Sequence, residues 1–388
     1  MIQNPLLLIL FLALIEIAIL KMGSHPRTEG LFKVLPPIFW IYFTPMLAST
    51  AGIIDPGHPL YAEIIHFILP ASLVLLLIPV DIKAILRLGR PALLMMLTGT
   101  AGIIIATPLA VFLFQAWLPA GAWSGFGALS GSWMGGSSNM IAVKEAIGTP
   151  DDIFAPMVLV DTLVGYSWMG FLIALSGFQE RLDRWNGSNR KILDELAGKI
   201  SPHELPHTRK LKLWPSFLVL LVAGACAAGV TFTARFFPEI ENVITNFAWV
   251  IILISTLGIL LSLTPVRYLE KCGSTKIGSF LIYYVITAIG AQASLSKMGN
   301  VWILIAVGLF IVIFHGTLLF CVWRKVKAPV FLLAAASQAN IGGVVSGPIV
   351  AAVYQPGLAP VGLLLAILGN ITGTYLGIVV SQICRAVM

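Results

Sequence analysis

Charge is what this sequence of 388 residues has least of: Asp, Glu, Lys and Arg make up 11% of it, and only 17 residues are acidic. Against that stand 58% hydrophobic residues and a mean hydropathy of +0.94. Such a chain cannot cover itself with polar groups as a soluble domain does, so it reads as an all-α, polytopic membrane protein with the lipid bilayer as its first partner. Cysteine is sparse too. Cys226, Cys272, Cys321 and Cys384 are scattered, which excludes a disulfide framework and a thiolate metal centre. The one H-E-x-x-H string, HELPH from His203 to His207 in the polar stretch, carries Pro206 where a zinc-binding helix would have to run, and there is no phosphate-cradling G-x-x-x-x-G-K and no G-x-S-x-G elbow. An intramembrane aspartyl protease would need a second carboxylate beside Asp161, and none is evident; an enzyme is therefore not expected, nor any cofactor beyond a coupling ion. The surplus of +7 charges suits Lys- and Arg-rich cytoplasmic loops and needs no nucleic-acid partner. The first apolar segment lacks a basic leader and an A-x-A site, so it is expected to remain as a span.

What the sequence does have is apolar runs. Twelve emerge, at about 5–21, 31–53, 62–80, 91–117, 122–148, 153–175, 213–236, 246–263, 278–295, 301–323, 328–354 and 359–384. Each is long enough to cross about 30 Å of hydrocarbon as a helix. A polar interval from Gln179 to Lys212, with eight Lys or Arg against five acids, divides them. Its stripe Ile192, Leu193, Leu196 and Ile200 fits either a short helix on the membrane surface or a plain tether.

One run stands apart, GFGALSGSWMGGSSNMIAVKEAIG from Gly125 to Gly148. Its pair Gly135-Gly136 costs about 2 kcal/mol relative to alanine within a helix. The polar run Ser137, Ser138, Asn139 follows at once. Unwound backbone survives in lipid only where protein buries it or it lines a watery cavity. The segment therefore reads as a discontinuous helix, the form in which transporters build their sites, although a patch of small residues could also serve close helix packing.

A second copy, SQANIGGVVSGPIVAAV from Ser337 to Val353, places Gly342-Gly343 207 residues after Gly135-Gly136. DIKAILRLGRPALLM from Asp81 likewise pairs with QASLSKMGNVWILI from Gln292, setting Gly89 against Gly299 at an offset of 210. Asp161-Thr162 falls opposite Asn370-Ile371 at 209. Three anchors with nearly one offset indicate two repeats, residues 1–176 and 213–388, joined by a linker over 177–212. Lys21, Arg27, Lys33, Lys83, Arg87 and Arg90 mark inside loops in the first repeat. In the second the bias moves to Arg324, Lys325 and Lys327, with only Lys297 in the earlier loop, as repeats of inverted topology require. Six spans between copies would preserve orientation instead. The loop charges carry the inverted reading, and the span count stays open.

The candidate substrate site is then Gly135, Gly136, Ser137, Ser138 and Asn139 with Ser337, Gln338, Asn340, Gly342 and Gly343. Half-helix N-termini carry partial positive charge and favour an anionic solute. Asp161 lies about eight residues, roughly 12 Å, into its run. A carboxylate at that depth costs about 2.5–3.5 kcal/mol to insert and is a functional candidate by default. With Thr162 and Asn370 it forms the candidate ion site, for Na⁺ or H⁺, with no other metal implied. Glu16 is expected to pair with Lys21 or to snorkel, and His66 and His315 to be satisfied by neighbours. Lys144 and Glu145 read as an ion pair or an interface position.

The GGSSN run at Gly135 to Asn139, ANIGG at Ala339 to Gly343 and the DIKAILRLGRP segment resemble a bacterial membrane family catalogued as domain of unknown function 819, over most of the chain. That family looks like part of the broad group of bile-acid/sodium symporters, glutamate/sodium symporters and sodium/proton antiporters. The resemblance implies a core domain with two crossing broken helices, a scaffold domain, and residence in the bacterial cytoplasmic membrane. It implies an ion-binding carboxylate on the helix after the first break, the place Asp161 holds; the branch with two adjacent aspartates is not matched, since Thr162 follows. The function so implied is a cation-coupled secondary transporter of a small solute, with a cation/proton antiporter, a channel or a receptor as alternatives. The oligomeric state is left open, a homodimer included.

Overall fold

Glycine and proline decide where this chain's helices stop. The computed structural model describes residues 1–188, 192–193, 196, 213–240, 245–293 and 301–388. Helix α1 (Pro5–Gly23) starts where the Asn4 side chain accepts from the amides of Leu6 and Leu7 at 2.9 and 3.3 Å. The second apolar run divides at Pro36-Pro37 into α2 (Glu29–Val34) and α3 (Pro37–Thr50). Then follow α4 (Leu60–Leu77), α5 (Ile82–Arg87) and α6 (Arg90–Phe114). The first glycine-rich run becomes α7 (Ala122–Gly135) and α8 (Ser137–Ile147), succeeded by α9 (Asp151–Ser176) and α10 (Gln179–Asn186). The second half gives α11 (Leu213–Ala234), α12 (Asn246–Ser262), α13 (Ser274–Gln292) and α14 (Val301–Val326). Its own glycine-rich run becomes α15 (Val330–Ile341) and α16 (Gly343–Tyr354), and α17 (Ala359–Val387) closes the chain. No strand occurs among the described residues.

Eight of these helices are long and apolar enough to cross a membrane, or nine counting α12 with the 3₁₀ segment Pro265–Cys272 that bends from it by 95°. The protein is a multi-pass membrane protein. Twelve apolar runs are each long enough to cross, with breaks expected at Gly135-Gly136 and Gly342-Gly343 and the span count open. The three other runs are interrupted, at Pro36-Pro37, Gly135-Gly136 and Gly342-Gly343, and each leaves helices shorter than 18 residues. The linker stripe as far as Ile200, and the anchors Lys297 and Gly299, lie outside the described residues in whole or in part.

The chain forms two compact units, and neither is a sequence half. The first takes Met1–Val80, Glu145–Thr162 and Lys210–Val301; the second takes Asp81–Lys144, Leu163–Arg209 and Trp302–Met388. Within the first, α13 packs on α3 and α4, α4 packs on α11 and α12, and α1 lies on α3 and α13. Small residues let these helices approach: a Cβ added to Gly258 of α12 would come within 2.8 Å of the Leu77 side chain.

Within the second unit, α17 packs against α6, α7, α15 and α16. Its Gly369, Gly373 and Gly377 recur every four residues along one face. Added Cβ atoms would lie 3.0 Å from the Gly135 Cα for Gly373 and 3.0 Å from the Gly131 Cα for Gly377. The start of α15 is held from elsewhere in the unit, because the Val330 amide donates to Asp183 Oδ1 at 2.8 Å.

Candidate functional site

Both helix breaks fall in the second unit, and they meet there. Gly136 closes α7 with φ +94°, a conformation that L side chains rarely adopt, and Gly343 opens α16 with φ +59°. A Cβ on Gly343 would lie 3.0 Å from the Gly136 Cα and 3.4 Å from its nitrogen. The start of α8 and the start of α16 are therefore neighbours, as are the ends of α7 and α15. Two sets of helix N–H ends and two sets of carbonyl ends converge on one spot, where opposite partial charges are available to a ligand.

Side chains around the first break divide into two kinds. Asn139 is buried and committed. Its Nδ2 donates to Asn370 Oδ1 at 2.9 Å, and its Oδ1 accepts from the Thr374 hydroxyl. Ser138 adds a second donor to Asn370 Oδ1 at 3.2 Å. Gly136, Ser137 and Ser138 are only half-buried, as is Asn370. The first break thus presents two serine hydroxyls and the Asn370 amide beside open backbone.

The second break is more tightly tied. Asn340 Nδ2 donates to Ala336 O at 3.0 Å and to Met96 O at 3.2 Å, while its Oδ1 accepts from Thr100 at 2.8 Å. This residue fastens α15 to α6 and has no group left for a solute. Ser337 sits in a relay. Its Oγ accepts from Trp168 Nε1 at 2.8 Å and lies 2.9 Å from His315 Nε2, and His315 Nδ1 lies 2.8 Å from Gly99 O. A carbonyl only accepts, so Nδ1 carries the hydrogen, Nε2 is bare, and the Ser337 hydroxyl donates to it. His315 is satisfied by neighbours, as its isolation in an apolar run suggested. Gln338 donates to Ser346 Oγ at 2.8 Å, and its Oε1 is buried without a hydrogen-bond partner among the described residues. That oxygen is the acceptor this break leaves unused.

Ser337→Ala would orphan the buried His315 Nε2, which costs about 1–3 kcal/mol, and would strip the half-buried Trp168 Nε1 of its acceptor. The variant is expected to melt well below wild type in detergent, read by the thermal dependence of its monodisperse chromatographic peak. An unchanged melting temperature would mean that the relay carries no weight.

The candidate ion residues do not form one set within a unit. Asp161 is half-buried, ten residues after the start of α9, and Thr162 is buried with its hydroxyl turned back to Val158 O at 2.9 Å. Both belong to the first unit and Asn370 to the second. Among the described residues no group of three or more His, Cys, Asp or Glu is arranged to hold a metal. Thr100 and Trp168 entered the site unannounced, because polar side chains of their kind recur throughout apolar helices and nothing local marks their partners.

Comparison with known proteins bears on the whole chain. The model of a family described as "Protein of unknown function (DUF819)" matches residues 11–387. The chain is also 25% identical over 354 residues to the "Uncharacterized membrane protein YjcL" of Bacillus subtilis (strain 168), covering 86% of each.

Proposed function

We propose that this chain, which belongs to the DUF819 family of proteins of unknown function, is a cation-coupled secondary transporter of a small anionic solute in the bacterial cytoplasmic membrane. The observation that carries this reading is the meeting of the two breaks at Gly136 and Gly343. Discontinuous helices whose N-termini face one point are the way membrane transporters hold a charged solute without a full positive charge. The half-buried Ser137, Ser138 and Asn370 supply the polar groups that fix such a solute, and the unused Gln338 Oε1 and the α7 and α15 carbonyl ends suit a cation. Asp161, near the middle of α9, is the proposed coupling-ion ligand with Thr162. In this reading the second unit acts as a core domain and the first as a scaffold, as in the inverted-repeat group of bile-acid/sodium symporters and sodium/proton antiporters that the chain resembles. The half-buried serines favour an organic solute over exchange of ions alone.

Purified protein in liposomes tests it. Small carboxylates are offered under a Na⁺ gradient, then under a proton gradient, each with a protein-free control. Accumulation that follows one gradient is expected. Proton flux driven by Na⁺ with no carboxylate uptake would favour the antiporter instead, and no gradient-dependent flux of any kind would end the transporter reading.

A further inference from the structure

Helix α1 is the span with the most open exposure in the first unit, yet it buries a carboxylate. Leu6, Leu7, Leu10, Leu14 and Ile17 are exposed, while Leu8, Leu12, Glu16 and Ile19 form the covered face. Glu16 lies near the middle of the 19-residue helix. It is 0% exposed, and neither Oε1 nor Oε2 has a hydrogen-bond partner among the described residues. Snorkelling is thereby excluded, and so is the pairing with Lys21 that their spacing suggested: Lys21 is exposed, and five residues of helix turn the two side chains well apart.

The helices that pack on α1 supply no cation either. On α3 the one ionisable side chain is Tyr42, fully buried. On α13 the Tyr283 and Tyr284 hydroxyls lie within electrostatic reach of Glu16, and Lys276 is exposed. The Tyr284 hydroxyl is already given to Ile9 O at 3.2 Å. A metal cation would need several oxygen ligands, which these surroundings do not gather. An ionised carboxylate without donor or counter-charge is costly there, whereas the neutral acid is not.

We propose that Glu16 is a reversible proton-binding site of the first unit, separate from the break site and independent of the transport reading. The carboxylate takes a proton from hydronium, one hydronium O–H bond breaking as the carboxyl O–H bond forms and one water is released. It returns the proton to water when water reaches the face that α3 and α13 cover.

Dicyclohexylcarbodiimide, which adds to protonated carboxyls in apolar surroundings, provides the test on the full chain in lipid nanodiscs, with peptide mapping by mass. At about pH 7.5, Glu16 is expected to be labelled at least tenfold more than the exposed Glu180. Labelling should fall at least roughly tenfold as pH is raised by about two units, and recover on return. The Glu16→Gln variant should lose the label from this peptide. No preferential labelling at about pH 7.5 would mean an ionised, paired carboxylate. Labelling indifferent to pH would mean a fixed structural acid, and labelling retained in Glu16→Gln would put the reactive group elsewhere. Each of these three results overturns the proposal.

Discussion

Uptake is expected to fall to background when Gly135 and Gly136 are both replaced by leucine, in protein that still inserts in the membrane. At Gly136 the backbone stands at φ +94° and ψ 173°, a region essentially reserved to glycine, where an L side chain costs on the order of 1–3 kcal/mol. At Gly135 an added Cβ would come within 2.6 Å of Gly369 O, so α17 would have to move away from α7. Both changes act on the spot where the breaks meet, and melting temperature should drop along with transport. Gly136→Ala separates the two effects. Its Cβ would meet only the Gly343 Cα, at 3.6 Å, so packing is spared and the backbone cost remains. A loss of about 1.4 kcal/mol corresponds to about tenfold, and uptake by this variant should decline on that scale while the chromatographic profile stays monodisperse. Wild-type uptake by the double variant would reduce the glycines to packing residues and remove the proposed site.

Asp161→Asn is expected to abolish the response to the coupling cation. Asparagine keeps the shape and one ligand oxygen but removes the charge and the proton acceptor. Wild-type protein should gain thermal stability as Na⁺ is added, since a ligand that binds only the folded state stabilises it by mass action. If H⁺ competes for the same oxygens, that gain should shrink as pH is lowered. In the Asn variant both the gain and its pH dependence should vanish, with the apo melting curve little changed because Asp161 is only half-buried. A Na⁺ response that persists unaltered would make Asp161 a structural carboxylate and send the search for the ion ligand to Gln338 and the break carbonyls.

Neighbouring residues alone determine much of this protein. Apolar runs of twenty or so residues have one outcome in lipid, because a helix satisfies its own backbone. The membrane class and the helices were therefore legible, and so were both breaks, since Gly135-Gly136 and Gly342-Gly343 weaken a helix wherever it lies. Pro36-Pro37 carries the same kind of signal, and the second run divides there into α2 and α3. Other features rest on partners far away in the chain. Asn139 and Asn340 look alike as polar residues beside a glycine pair. Yet Asn340 is consumed by Thr100, 240 positions earlier, and Asn139 holds Asn370 and Thr374 beside two accessible serines. Glu16 had a plausible mate in Lys21 five residues on, and packing against α3 and α13 turned it inward instead. The interleaving of both halves into each compact unit has the same origin. Local sequence sets what a segment can form, and only long-range packing decides which polar groups are used up and which stay free for chemistry.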